Sequence, residues 1–173
     1  MVKNFVALPD EAIRQKSKEV TSFDKSVKDA ITDLIETAEV QTDPPALGLA
    51  APQIGVFKRI FVAKIRGKFR PFINTKILKT SKSEGAFLEG CFSVPKVYGN
   101  AIRPLEIAIE SKDAQGKKIK KKYKGLAARI IQHEIDHLNG TLFIDHVENQ
   151  NGKFFNVEKD KKGKEILVEI EKE

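Results

Sequence analysis

The chain has one cysteine in 173 residues, three histidines, and no apolar run of membrane-spanning length. Each scarcity excludes something. A lone Cys91 forbids an internal disulfide, which fits a reducing cytosol and predicts a cytoplasmic protein. With no run of about 20 apolar residues there is no transmembrane helix to place, and the N-terminus lacks a signal-peptide core. No internal repeat or low-complexity linker divides the chain, so residues 1–173 read as a single domain. The remainder, 40% hydrophobic and 32% charged, is ordinary for a globular protein. The net charge of +7 owes much to residues 117–122 and 159–164, which read as solvated strand or turn faces. No motif for sequence-specific nucleic-acid binding accompanies them.

Two of the three histidines stand in one short frame, His133-Glu134-Ile135-Asp136-His137. The segment around it reads as a helix. Leu126, Ile130, His133 and His137 recur at helical spacing, and Ile131, Ile135 and Leu138 form a second apolar row. Only Arg129, Gln132 and Asp136 make a polar stripe, so the helix belongs inside a domain; Asn139-Gly140 stops it. Residues four apart lie on one face, so His133 and His137 can aim two imidazoles at one ion. Glu134 projects about a quarter-turn away, within reach of a water held by that ion. A catalytic site of this kind wants three protein ligands. Cys91 is the better candidate for the third, since a thiolate is a strong ligand for zinc or ferrous iron; His146 is the other.

The rest of the chain supplies a scaffold. Residues 7–11 read as a short helix start. Phe23-Asp24 leads into an amphipathic helix whose apolar stripe is Val27, Ile31, Leu34, Ile35 and Ala38. The small residues of Ala46-Leu47-Gly48-Leu49-Ala50-Ala51-Pro52-Gln53 read as a loop that lets backbone approach a ligand closely. Strands are expected over residues 56–65 and 70–78, joined by a turn at Arg66-Gly67-Lys68, and again on either side of Asp113-Ala114-Gln115-Gly116. Thr141-Leu142-Phe143-Ile144-Asp145 reads as an exit strand, and residues 153–170 as a terminal β-hairpin. The fold class is α+β: antiparallel sheets around a buried central helix, with the residue 23–41 helix outside.

Three segments taken together are specific. Gly48-Leu49-Ala50-Ala51-Pro52-Gln53, Glu89-Gly90-Cys91-Phe92-Ser93 and His133-Glu134-Ile135-Asp136-His137 occur in the order and rough spacing of peptide deformylases, and the resemblance runs from about Leu8 to about Asp145. It implies that Cys91, His133 and His137 bind one divalent metal, natively Fe2+, with Zn2+, Ni2+ or Co2+ accepted by the isolated protein. It implies that Glu134 is the general acid/base, and that Gln53 and the Phe92 backbone N–H hold an oxyanion. The implied substrate is the N-formylmethionine end of a new polypeptide, and the products are formate and a free amino terminus. By the same analogy Leu47, Phe87, Leu126 and Ile130 either line a methionine pocket or are plain core, and Gly48 lends backbone hydrogen bonds to the peptide. Glu89, beside Gly90, either pairs with Arg103 or is a rim charge. Asp136 is a candidate to steady the helix. A monomer, transient contact with the ribosome and no membrane or sequence-specific nucleic-acid partner complete the expectation.

Some positions depart from the family pattern. Ala46 replaces a usual Gly and is expected to narrow the cleft slightly. Phe92 replaces a usual Leu, and Asn74-Thr75 a common Asn-Pro. Many bacterial members end in a helix, in some of which that helix docks to the ribosome, whereas this tail reads as a hairpin. Two other readings compete. A zinc endopeptidase shares H-E-x-x-H but takes its third ligand downstream. A non-catalytic metal-binding module needs neither Glu134 nor Gln53.

Overall fold

A computed structural model of the chain describes residues 1–171; the last two positions of the expected 1–173 domain lie outside the described residues. The amphipathic stretch forms helix α1 (Lys25–Glu39), capped by Asp24, whose side chain accepts from Ser26 N. The strands are β1 (Gly48–Ala50), β2 (Ile60–Ile65), β3 (Lys68–Thr80), β4 (Glu84–Cys91), β5 (Val94–Pro104), β6 (Glu106–Lys112) and β7 (Lys118–Lys124). Helix α2 (Gly125–Leu138) carries the two-histidine motif, α3 (Phe143–Asn149) follows, and β8 (Phe154–Lys159) with β9 (Glu165–Ile170) closes the chain.

The strands form two antiparallel sheets, ordered β1-β2-β3-β6-β7 and β4-β5-β8-β9. The first four residues of β2, Ile60 to Ala63, are apolar because they are buried on both faces of the sheet. Ile60 and Val62 pack under α1 with Val27, Leu34 and Leu49. Phe61 and Ala63 meet α2 through Ala128, Ile131, Ile135 and Leu138. The α+β class, the buried motif helix, the outer N-terminal helix and the C-terminal hairpin are all as expected from the sequence. The hairpin joins the second sheet, β8 pairing with β5 over Val97–Gly99.

Two boundaries shift, since the expected loop over 46–53 contains strand β1 and the helical turn expected over 7–11 runs from Glu11 to Arg14, and two further expectations need correcting outright. The stretch after the motif is not an exit strand: Phe143–Asn149 is helical, with the Asp145 carboxylate accepting from Leu142 N at 2.8 Å to close its first turn. Phe143 and Val147 bury against Val94, Ala101 and Ile13. Ala46 does not narrow a cleft either, since its side chain is buried among the α1 core residues.

The end of α2 shows why the stop signal must be glycine. Gly140 has φ +74°, and a Cβ there would stand 2.0 Å from the Arg14 carbonyl oxygen. The carbonyls that the helix leaves open find other donors. Leu138 O accepts from Ser17 N and from Arg59 Nη1. Among the described residues no helix is long and apolar enough to cross a membrane.

Candidate metal and active site

The β4–β5 hairpin turns at Phe92-Ser93, which puts Cys91 at the last position of β4. Gln53 sits in a single 3-10 turn, Ala51–Ile54, following β1. The N-terminal segment ties the two loops together: Val6 N donates to Gln53 O, Leu8 N to Ser93 O, and Ser93 Oγ to Val6 O. Both loops face the motif side of α2.

There the donors converge. Cys91, His133 and His137 each offer one ligand atom, and the three atoms lie within 4.8 Å of one another. Cys91 Sγ is 3.2 Å from His137 Nε2. His133 Nδ1 lies 2.8 Å from Glu89 Oε1; the carboxylate accepts, so the proton is on Nδ1 and the Nε2 lone pair is left for an ion. Burial resists ionisation of Cys91, yet His137 and His133 hold its thiol well below the ordinary thiol range. One thiolate, two imidazoles and a carboxylate behind one of them make a donor set that fits zinc or ferrous iron. Cys91, not His146, is therefore the third group in the cluster. His146 Nε2 instead donates to Asp136 Oδ2 at 2.8 Å.

Glu134 is 4% exposed, and its Oε2 has no hydrogen-bond partner. Burial pushes its carboxyl up to about 7, against the opposing pull of His133 and His137. Gln53 is equally hidden. Its Oε1 accepts from Ala50 N at 3.0 Å, which turns the amide so that Nε2 points its protons at Ser93 Oγ (3.2 Å) and Cys91 Sγ (3.4 Å). A donor is thus aimed at the Cys-His-His cluster.

These groups floor a cleft of about 540 Å³, lined in part by Leu47, Gly48, Gly90, Phe92, Leu126 and Ile130. Phe87, expected among them, does not line it. Its ring is 57% exposed and lies over the Arg129 guanidinium at 4.8 Å. The Phe92 ring stacks on Phe5 at 4.9 Å.

Glu89 is no rim charge. It is buried and takes Arg103 in a two-pronged contact, Nε at 2.7 Å and Nη2 at 3.0 Å. Arg129 approaches the same carboxylate and also donates to Gly85 O and Ala101 O. Burial works against ionisation of Glu89, but His133 and Arg103 hold it far below the carboxylate range. Asp136 is held as expected, accepting from Arg103 Nη1 at 2.7 Å as well as from His146. Sequence reasoning missed Ser93 and the inward role of Arg129. The sign of the first was a hydroxyl two residues after the cysteine. The second gave none beyond its place in a helix that is apolar almost all round.

The sequence pattern described as polypeptide deformylase matches residues 2–153. A peptide deformylase of Rhizobium meliloti is 40% identical over 151 residues, 84% of this chain and 85% of that protein. The crystal structure of a peptide deformylase from Legionella pneumophila superposes with a TM-score of 0.78 at 38% identity, covering 84% of this chain and 86% of that one. That of a Synechococcus elongatus peptide deformylase in complex with actinonin gives 0.79 at 37% identity, covering 86% and 80%. With the Cys-His-His cluster, the buried glutamate and the aimed amide arranged on this fold, the chain belongs to the polypeptide deformylase family.

Proposed function

We propose that Glu134, Gln53 and the Phe92 backbone N–H divide among them the removal of the N-formyl group from formylmethionyl peptides, the reaction of this family, beside an ion held by Cys91, His133 and His137. The observation that carries this reading is the convergence of Gln53 Nε2 and Glu134 on the cleft side of the three metal-ligating groups. When bound, a divalent ion supplies Lewis acidity and lowers the pKa of a water. Glu134 takes the proton of the attacking water and returns it to the departing amide nitrogen. Gln53 Nε2 and the Phe92 N–H donate to the carbonyl oxygen as it gains charge. Gly48, on the rim strand β1, offers its backbone to the peptide. The formyl carbon bears only hydrogen, so this crowded floor admits it and rejects bulkier acyl groups. Leu47, Leu126 and Ile130 supply apolar contact for the methionine side chain.

The family resemblance implies Fe2+ as the native ion, with Zn2+, Ni2+ or Co2+ as substitutes in isolation, and a donor set of one thiolate and two imidazoles accepts each of them. An iron–thiolate centre loses activity in air, and a zinc one does not. We read residues 1–173 as one catalytic domain acting as a cytoplasmic monomer on nascent chains, with transient ribosome contact. The test is formate release from a formyl-Met tripeptide by protein prepared without oxygen and loaded with Fe2+, an acetyl-Met tripeptide serving as control. Release from the formyl peptide alone is expected. No release with one ion bound per chain would sink the reading in favour of a metal-binding module.

A further inference from the structure

Helix α3 touches His133 by two routes. Its first residue, Phe143, stacks on the His133 imidazole with ring centres 6.2 Å apart and planes inclined by 19°. Its fourth, His146, begins a chain of charge-assisted hydrogen bonds. His146 Nε2 donates to Asp136 Oδ2 at 2.8 Å, and Arg103 Nη1 donates to the same oxygen at 2.7 Å. The other edge of that guanidinium grips Glu89, whose Oε1 accepts from His133 Nδ1 at 2.8 Å. Arg103 is 4% exposed and Glu89 7%, so neither partner can be replaced by water. A guanidinium is a rigid plane. Anchoring Nη1 on Asp136 fixes the direction in which Nε and Nη2 present themselves, and so fixes the Glu89 carboxylate that orients His133. Within this chain of contacts only His146 is substantially solvent-accessible, with 34% of its side chain exposed.

We propose that His146 is a positioning residue for His133, acting through Asp136, Arg103 and Glu89, so that α3 sets how firmly the metal ion is held. The inference rests on the reading that Cys91, His133 and His137 hold that ion. A carboxylate behind a ligating histidine governs metal affinity by roughly 10–100-fold, and the outermost link of the chain carries a smaller share. His146 belongs neither to the Cys91, His133 and His137 cluster nor to the lining of the cleft.

The experiment compares wild type with His146→Ala, His146→Gln and Arg14→Gln, each stripped of metal and loaded with Co2+ without oxygen. Glutamine can place its amide N–H where the imidazole Nε2–H now sits. Arg14 ties the same helix down through Asp145, with Nη1 to Oδ2 at 2.9 Å, but lies outside the chain of contacts. The readouts are Co2+ release to a chelator and the thiolate-to-cobalt absorption band. His146→Ala is expected to release Co2+ about 3- to 10-fold faster with a shifted band. His146→Gln is expected to restore both, and Arg14→Gln to lower the melting temperature without changing either. Release from His146→Ala at the wild-type rate would overturn the proposal, as would equal acceleration in Arg14→Gln, which would mean that helix docking alone matters. A wild type that fails to bind one Co2+ per chain would instead overturn the metal reading beneath it.

Discussion

A methyl group on Gly48 would collide with Glu134: its carbon would lie 2.6 Å from Glu134 Oε1 and 2.9 Å from Ile130 Cγ2. Both neighbours are buried, so the carboxylate can make room only by leaving its place. Gly48→Ala is expected to cut formate release about 10- to 100-fold while one ion stays bound, because misplacing a reacting group by an ångström costs on that order. Activity near wild type would show that Glu134 has more freedom than the packing allows.

Removing the Glu134 carboxylate is the sharper change. Glu134→Ala should lower kcat by roughly 10²–10⁴-fold, with metal content at one per chain by elemental analysis. Loss of the metal together with activity would assign Glu134 to holding the ion rather than to moving protons.

Gln53 spends its oxygen on Ala50 N and aims its amide protons at Ser93 Oγ and Cys91 Sγ, at the edge of the cluster. Gln53→Ala is expected to reduce kcat by about 10²–10³-fold with a smaller change in KM. Gln53→Glu should not rescue it, since a carboxylate cannot donate and repels the developing charge. A change confined to KM would mean that the amide binds the ground state only.

Glu89 sits between two buried guanidiniums, with side-chain exposures of 6% for Glu89, 4% for Arg103 and 10% for Arg129. Glu89→Gln keeps the shape and removes the charge. Arg103 keeps Asp136, but Arg129 loses its one carboxylate partner, and the change should cost about 3–5 kcal/mol in denaturant unfolding. A cost below about 1 kcal/mol would show that the backbone acceptors of Arg129 suffice.

Asp145 couples stability to pH. Burial opposes its ionisation, but Arg14 and the Leu142 N–H outweigh this and hold its carboxyl below the ordinary value of 3.8. A depressed pKa means that its contribution is complete above about pH 4 and is lost as pH falls through the folded value. Asp145→Asn should therefore lower the melting temperature at pH 7, by an amount equivalent to about 1 kcal/mol, and the gap should close in the acid range below pH 4. A gap that persists at pH 2 would deny the charge any part.

Much of this was legible because local rules and global packing agree. The i, i+4 histidines, the apolar stripe of α1, the turn at Arg66-Gly67 and the turn between β6 and β7 each follow from nearby residues alone. What stayed hidden depended on distant partners. Phe143-Ile144 is a short apolar run that serves strand or helix equally, and the burial of Phe143 and Val147 on β5 decides for helix. Strand β4, with Gly85 and Gly90, has no alternation to announce it; Gly90 is there because the Tyr98 ring lies across it, where a Cβ would fall 2.4 Å from Cε1. For Glu89 the sequence left pairing with Arg103 and a place at the rim equally open, because nothing near it reveals that both residues are buried or that Arg129 joins them.

The pairing of β8 with Val97, Tyr98 and Gly99 reaches further than its place at the sheet's far side suggests. Val97 and Tyr98 are also cleft residues, so one wall of the cleft is a middle strand clasped by neighbours on both sides. The clasp on its outer side begins at Phe154, just past the last residue that the family pattern specifies. A one-residue slip of β5 against that clasp would turn every side chain of the wall to the opposite face. The width of the doorway is thereby written partly in a ribbon that carries none of the family's signature residues.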